Sequence, residues 1–300
     1  MKTMRIGLVG VPFNSAGLPG GEASAPAALR ATGLAEALQQ VADVHDYGDV
    51  ALPEPSPERD STTRIIAPPD LVAMVAAVRA LVAQEISHGD VPLVIGGECP
   101  LLLGCLAAAR DAYGRVGLLF VDGHEDAWSP QQSTTGETAD MELGFALGLA
   151  ASGVLDLDAL LPLVRPGDAI VLGPRDRDEL AALNVPSVAS TVTFRDDKAL
   201  LATDLDAASK ALTRQLHAAA NHWWFHLDLD VLATRSMAAI RYPQPGGLSW
   251  PHIETIAAAA LQAPGLVGWN ITIYNPDLDL DGSGAVRIVT FLETMLSARS

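Results

Sequence analysis

An α/β fold in three layers, with a mostly parallel central sheet between two layers of helices, is the architecture this sequence predicts. Three observations carry that expectation. Short apolar runs of strand length alternate with longer runs of helical period from one end to the other, the signature of repeated β-α-β units. Several apolar runs stop abruptly in acidic or Gly-rich residues, as strands do where an open α/β sheet carries its ligand site. No Gly/Ser-rich linker, repeat or low-complexity block divides the 300 residues, so residues 1–300 are read as one domain although the length would also allow two.

The elements follow in order. Met4 to Val9 is a short apolar strand, followed by a Gly/Pro-rich loop from Val11 to Gly21. Ser24 can cap a helix with Pro26 in its first turn, reaching about Gln40. Val41 to Tyr47 is strand-like, and Pro53 to Arg64 is a polar, Pro-rich loop. Pro69 to His88 has helical spacing, with Asp70 early and Gly89 just past its end. Pro92 to Ile95 is a buried strand ending in Gly96, Gly97, Glu98 and Cys99, with a helix to about Arg110. Val116 to Val121 is the next strand. Beyond its acidic end, Ala139 to Leu149 reads as helix, Ala169 to Leu172 as strand and Leu200 to Ala219 as helix. Trp223 to Leu229 is a strand. A Pro/Gly-rich loop, Tyr242 to Leu248, leads into a helix at Pro251 to Leu261, a strand at Leu266 to Ile273 and a closing helix at Ala285 to Ser297.

Composition narrows the function classes. The net charge of −17 argues against nucleic acid, whose phosphates need clustered Lys and Arg. It suits a soluble acidic surface and could also draw in a cationic substrate. Two cysteines, Cys99 and Cys105, make no disulfide framework. No uninterrupted apolar run reaches membrane-spanning length. The N-terminus reads as a first strand and not as a signal peptide, so a cytoplasmic protein is expected.

The chemistry concentrates at three strand ends. In LLFVDGHEDAW, Leu118 to Trp128, the apolar run gives way to Asp122, His124 and Asp126 at alternate positions. Side chains two apart on extended backbone point the same way, so these three converge. Carboxylate with imidazole suits Mn, Zn or Fe; a polar loop with a capping Asp is the plainer alternative. Asp228 and Asp230 repeat the pattern in FHLDLDVL, between strongly apolar flanks. Two like charges in a partly buried place repel unless a cation lies between them. The third strand end is GGEC. Cys99, at the head of a helix, is either a thiolate ligand with a lowered pKa or a small buried apolar residue. His226 shares the face of Asp228 and Asp230 and is either a hydrogen-bond partner of a ligand carboxylate or a satisfied core histidine. Trp223 and Trp224 read as core.

These strand ends, in this order, resemble the ureohydrolases: arginase, agmatinase, formiminoglutamase and their relatives. That family's pattern is GGDH, then DAHxD, then SxDxDxxDP; here the segments are GGEC at 96–99, DGHED at 122–126 and HLDLDVLAT at 226–234. The early PGGEASAPAALRATGL and the late PGGLSW and NPDLD are also similar, so the resemblance spans nearly the whole chain. It implies a three-layer αβα fold and two Mn ions that activate a water for attack on a guanidinium or amidine carbon. By position, Asp122 and Asp228 would bridge the ions, Asp126 would complete the first site, and His124 and Asp230 the second. The sixth ligand, His in the family, is Cys99. Sulfur is softer than Mn prefers, so the first site is expected to hold Mn weakly or to favour Zn or Fe. The family's trimeric or hexameric assembly is likewise implied.

The substrate loop departs further. Thr135 and Gly136 match a Ser-Gly pair that contacts the substrate, and Asp178 matches an acidic residue near its amino group. Trp128 replaces an amide side chain, Ala139 replaces the loop's catalytic His, and Ile273 stands where an acid orients the guanidinium. Ala233-Thr234 replaces an Asp-Pro. Two readings follow. One is a metal-dependent hydrolase of a guanidino or amidino compound, such as a modified arginine. In it Asp126 holds the nucleophile, Glu137 shuttles protons, and Glu142, Trp128 or His226 takes over other lost roles. The other is a degenerate relative with weak metal binding and a binding or structural role.

Overall fold

The structure, a computed structural model, describes residues 5–298. The chain opens with β1 (Arg5–Val11), α1 (Ala25–Ala31), α2 (Leu34–Gln39), β2 (Asp43–Asp49), α3 (Pro68–His88), β3 (Val91–Gly96), α4 (Leu101–Tyr113) and β4 (Val116–Val121). It continues with α5 (Glu142–Ala146), α6 (Leu155–Asp158), β5 (Ala169–Gly173), α7 (Arg177–Ala182), β6 (Thr193–Asp196), α8 (Asp197–Leu201) and α9 (Leu205–Ala219). It closes with β7 (His222–Asp228), α10 (Trp250–Gln262), β8 (Leu266–Thr272) and α11 (Ser283–Ser297). The eight strands form one sheet in the order β2-β1-β3-β8-β7-β4-β5-β6, and every pairing is parallel. Met4, the first residue of the expected opening strand, lies outside the described residues.

Period-two alternation sorts the strand side chains into two cores. Leu119, Val121, Phe225, Leu227, Trp269 and Ile271 pack on one face beneath residues of α1, α2, α9, α10 and α11. Leu118, Phe120, Val94 and Trp224 pack on the other beneath residues of α3, α4 and α5. Trp224 fits because its register partner on β8 is Gly268; a Cβ there would come within 2.2 Å of the indole ring.

Three expectations shift. The helix expected to Gln40 breaks at Gly33, whose φ is 88°, a conformation open to glycine. The one expected from Leu200 to Ala219 breaks at Asp204, whose carboxylate caps α9 by accepting from Ala207 N at 3.1 Å. The one expected from Ala139 to Leu149 shrinks to a 3-10 turn and α5. α3 is long and apolar enough to cross a membrane by length and composition. It packs instead against α4, with Leu71, Met74, Val75, Val78 and Val82 in the core.

Candidate metal centre

All the donor-bearing strand ends meet at one edge of the sheet, because parallel strands deliver their C-terminal ends to the same side. Gly97 makes the first turn possible. A Cβ there would lie 2.2 Å from Phe13 O, and its carbonyl accepts from Ile273 N at 2.9 Å. Gly123 does the same for the second, with Asp230 Oδ1 2.7 Å from the position of a Cβ. Two non-glycine residues hold left-handed backbone here, Asp126 (φ 40°) and Ile273 (φ 67°). For β-branched Ile273 this is a strained geometry that surrounding structure must enforce.

The donors fall into three groups whose ligating atoms lie within 4.8 Å of one another: Cys99, Asp122, Asp126 and Glu142; Cys99, Asp122, His226 and Asp228; and Asp122, His124 and Asp230. The first two share Cys99 and form an inner position. The third is an outer one, where His124 Nδ1 meets Asp230 Oδ2 at 2.8 Å. Asp122 belongs to both. Asp122, Glu142, His226 and Cys99 are fully buried, and Asp228 and Asp230 nearly so.

Backbone amides orient part of this set. His124 N donates to Asp122 Oδ1 at 2.7 Å, Gly123 N to Asp230 Oδ1 at 3.0 Å, and Asp230 N to Asp228 Oδ1 at 2.6 Å. Asp122 Oδ2, both Glu142 oxygens and His226 Nε2 have no hydrogen-bond partner although buried. Burial without a partner is costly for a carboxylate unless it binds a metal or a proton. The donor set, mostly carboxylate with two imidazoles and one thiol, fits one or two divalent ions.

Charge accumulation moves the titrations of the metal-free site. Burial and neighbouring carboxylates push Asp126, Asp228 and Glu142 well up and raise Asp122. Burial tends to raise Asp230 too, but His124 outweighs it and holds Asp230 down. Burial works against a charged His124, yet Asp230 lifts it to about 9. Cys99 is fully buried beside the carboxylates. Burial, then Asp228, Glu142 and Asp122, push the thiol well up, overriding a helix end whose first residue is Leu101. Its Sγ lies 2.8 Å from Asp228 Oδ2 and 3.1 Å from Thr272 Oγ1.

His226 has a fixed tautomer. The Trp224 indole N–H only donates, so the Asn270 atom it meets at 2.7 Å is Oδ1. Asn270 Nδ2 then donates to His226 Nδ1 at 2.7 Å. Neutral His226 therefore keeps its proton on Nε2, which points at Asp122 Oδ2 3.7 Å away. The ring also stacks on Phe120 with centroids 4.6 Å apart. His226 is thus both a core residue and a potential hydrogen-bond donor to Asp122.

The site opens on a cavity of about 400 Å³ whose walls include Glu22, Glu98, Glu137, Asp140, Asp176 and Glu179. His124, Asp126, Asp228 and Asp230 face it, and Trp128, Thr135, Ala139 and Ile273 line it. Glu98 accepts from Ser15 N at 2.6 Å and from its hydroxyl. Arg241 approaches Glu137 at 3.6 Å, and Tyr242 Oη donates to the same carboxylate at 3.3 Å. Gly136 supports the loop, its carbonyl accepting from Ile66 N at 2.9 Å. Asp178 is exposed on α7 and borders a neighbouring depression; Asp176 and Glu179 are the acids of that segment on the cavity wall. The sequence offered little to separate them, since α7 was not anticipated.

A pH dependence follows for the metal-free chain. Burial raises Asp176 to about 6, Asp140 to about 7 and Glu98 to about 8, and His124 stands at about 9. Each raised group stabilises the fold below its unfolded value, and that stabilisation is lost as pH rises through the folded value. All act in one direction, so Tm in chelator is expected to fall between about pH 4 and about pH 9. A Tm that rises over this window would contradict the assignment.

The Arginase family model matches residues 4–297. Human arginase-1 is 31% identical over 182 residues, an alignment covering 59% of this chain and 56% of that protein. Arginase of Bacillus caldovelox is 24% identical over 286 residues, covering 91% of this chain and 92% of that one. Its solved structure superposes with a TM-score of 0.84 at 21% identity over 98% of both chains. The formimidoylglutamase of Bacillus subtilis gives a TM-score of 0.74 at 17% identity, over 99% of this chain and 88% of that one. The structural likenesses show the shared fold, and the sequence match across nearly every residue shows descent: the chain belongs to the arginase family.

Proposed function

We propose that this protein hydrolyses a C–N bond of a small guanidino or amidino compound, with Mn ions at the inner and outer positions. The observation that carries the reading is the buried donor set with orphaned Asp122 Oδ2, opening directly on an acid-walled cavity. A degenerate relative would close the pocket, which here stays open. When bound, a divalent pair supplies Lewis acidity and a water ionised near neutral pH.

The chain's own groups would do the rest. Asp122, Asp126 and Asp228, with Cys99 as a weak fourth donor, would hold the inner ion; Asp122, His124, Asp228 and Asp230 would hold the outer. The acidic walls attract and orient a cationic substrate. Asp126, facing the cavity, holds the attacking water by a hydrogen bond. Trp128 and Thr135 shape the substrate's berth, with Gly136 supporting the loop beside it. Glu137 returns a proton to the leaving nitrogen, and Tyr242 and Arg241 position its carboxylate. The protein works in the cytoplasm as a trimer or hexamer in this reading.

The test is release of urea, ammonia or amine from a panel of guanidino, amidino and formimino compounds after Mn loading. No product from any of them, or no bound metal, would sink the proposal. Glu137→Gln is expected to lower kcat by about a hundredfold, the lower range for general acid–base catalysis, with KM little changed. Equal kcat in the variant would remove Glu137 from proton transfer.

A further inference from the structure

Glu142 has no counterpart in the six-ligand pattern, yet it lies buried among the inner donors. It is fully buried, and neither carboxylate oxygen has a hydrogen-bond partner. One of its oxygens lies within 4.8 Å of donor atoms of Cys99, Asp122 and Asp126. Its position is built and not incidental. Leu143 N and Gly144 N donate to Asp126 O at 3.0 and 3.1 Å, tying the start of α5 to the backbone of an inner-site aspartate. Gly144 permits that approach: a Cβ there would lie 3.0 Å from Ala127 Cα.

Two other groups compete for the same role, and each is already engaged. His226 Nε2 carries a proton, because Asn270 donates to Nδ1, so its ring faces the inner position as a donor and not as a lone pair. Cys99 Sγ is within hydrogen-bond reach of Asp228 Oδ2 and Thr272 Oγ1. Glu142, like Asp122 at Oδ2, presents buried lone pairs with no hydrogen-bond partner.

We infer that Glu142 is a ligand of the inner ion, supplying the donor that a cysteine at position 99 fails to supply to a hard cation. The assignment rests on the proposed two-ion reading. It makes the inner position rich in oxygen donors, so Mn2+ remains a suitable occupant despite the sulfur. Cys99 contributes mainly to softer ions.

The experiment titrates metal-free, full-length protein with Mn2+, following stoichiometry by calorimetry and exchange-coupled Mn pairs by electron paramagnetic resonance. Wild type is expected to bind two equivalents and to show the coupled signal. Glu142→Gln is expected to keep one equivalent, weaken the other at least tenfold and lose the coupled signal. Glu142→Asp, which keeps a shorter carboxylate, should fall between them. Without metal, Glu142→Gln should melt no lower than wild type, while its Mn2+-induced rise in Tm shrinks. Two equivalents at wild-type affinity in Glu142→Gln would overturn the Glu142 assignment alone. No Mn2+ binding by wild type would overturn the function reading and this assignment with it.

Discussion

Replacing Asp122 by Asn is expected to abolish uptake of both ions together and to lower kcat/KM about a thousandfold, which corresponds to ~4 kcal/mol of transition-state stabilisation. Asp122 is the one residue present in all three donor groups. Its Oδ1 is committed to His124 N at 2.7 Å, while Oδ2 has no partner. An amide keeps the first contact with its oxygen but turns an NH2 toward the inner position and toward His226 Nε2, which already carries a proton. Both changes oppose a cation. The effect should exceed that of removing a residue acting through Asp122: His226→Ala, which deletes one orienting donor, is expected to cost about 10- to 100-fold. Metal analysis of the purified variants, with steady-state kinetics after Mn loading, checks both. An Asp122→Asn protein holding two ions would break the bridging assignment.

The largest stability effect is expected at Trp224, where substitution by Ala should cost ~3–5 kcal/mol, a large share of the 5–15 kcal/mol or so that holds a typical domain together. The indole is fully buried in the core beneath α3 and α4 and lies on Gly268 of the adjoining strand. Gly268 has no side chain to help fill the space. Truncation also leaves Asn270 Oδ1 without its donor at 2.7 Å, and the freed amide can turn over and release the His226 tautomer. Trp224→Phe separates the terms: it refills most of the volume and removes only the N–H, so a loss of ~1–3 kcal/mol is expected. Denaturant unfolding of both variants measures the pair. Trp224→Ala within about 1 kcal/mol of wild type would show that the ring is not packed as described.

Much of this arrangement was legible in the chain because strands impose a period of two. Asp122, His124 and Asp126, like Asp228 and Asp230, could be placed together before any coordinates, and the structure gathers all five within the donor groups. The parallel sheet was legible from the alternation of elements. β6 was not, since Thr193–Asp196 is short, half-buried and mixed in polarity, so neither alternation nor an apolar run marks it. Helix breaks at Gly33 and Asp204 were visible only as single residues inside good helical spacing, and their backbone conformations decided the outcome. Glu142 and His226 drew notice as acid and imidazole near the motifs. What each faces depends on α5 folding back onto Asp126 and on Asn270 from another strand. Cys99 stayed open between ligand and buried residue because proximity to a helix start is a local signal, whereas burial among acids is a tertiary one.

The order of strands in the sheet sets the order in which the centre can be completed. β8 follows β7 in the chain and lies between β3 and β7, the one strand paired with both among the described residues. A nascent chain that has emerged only through β7 holds two partial sheets: β2, β1 and β3 on one side, and β7, β4, β5 and β6 on the other. Cys99 belongs to the first, Asp122 and Asp228 to the second. Insertion of residues 266–272 therefore joins the halves and completes the inner position only after β7 has been made. Such long-range closure is slow compared with local contacts. Until it occurs the partial sheets expose unpaired strand edges, the surfaces most prone to misassembly, and the metal has no complete inner position to enter.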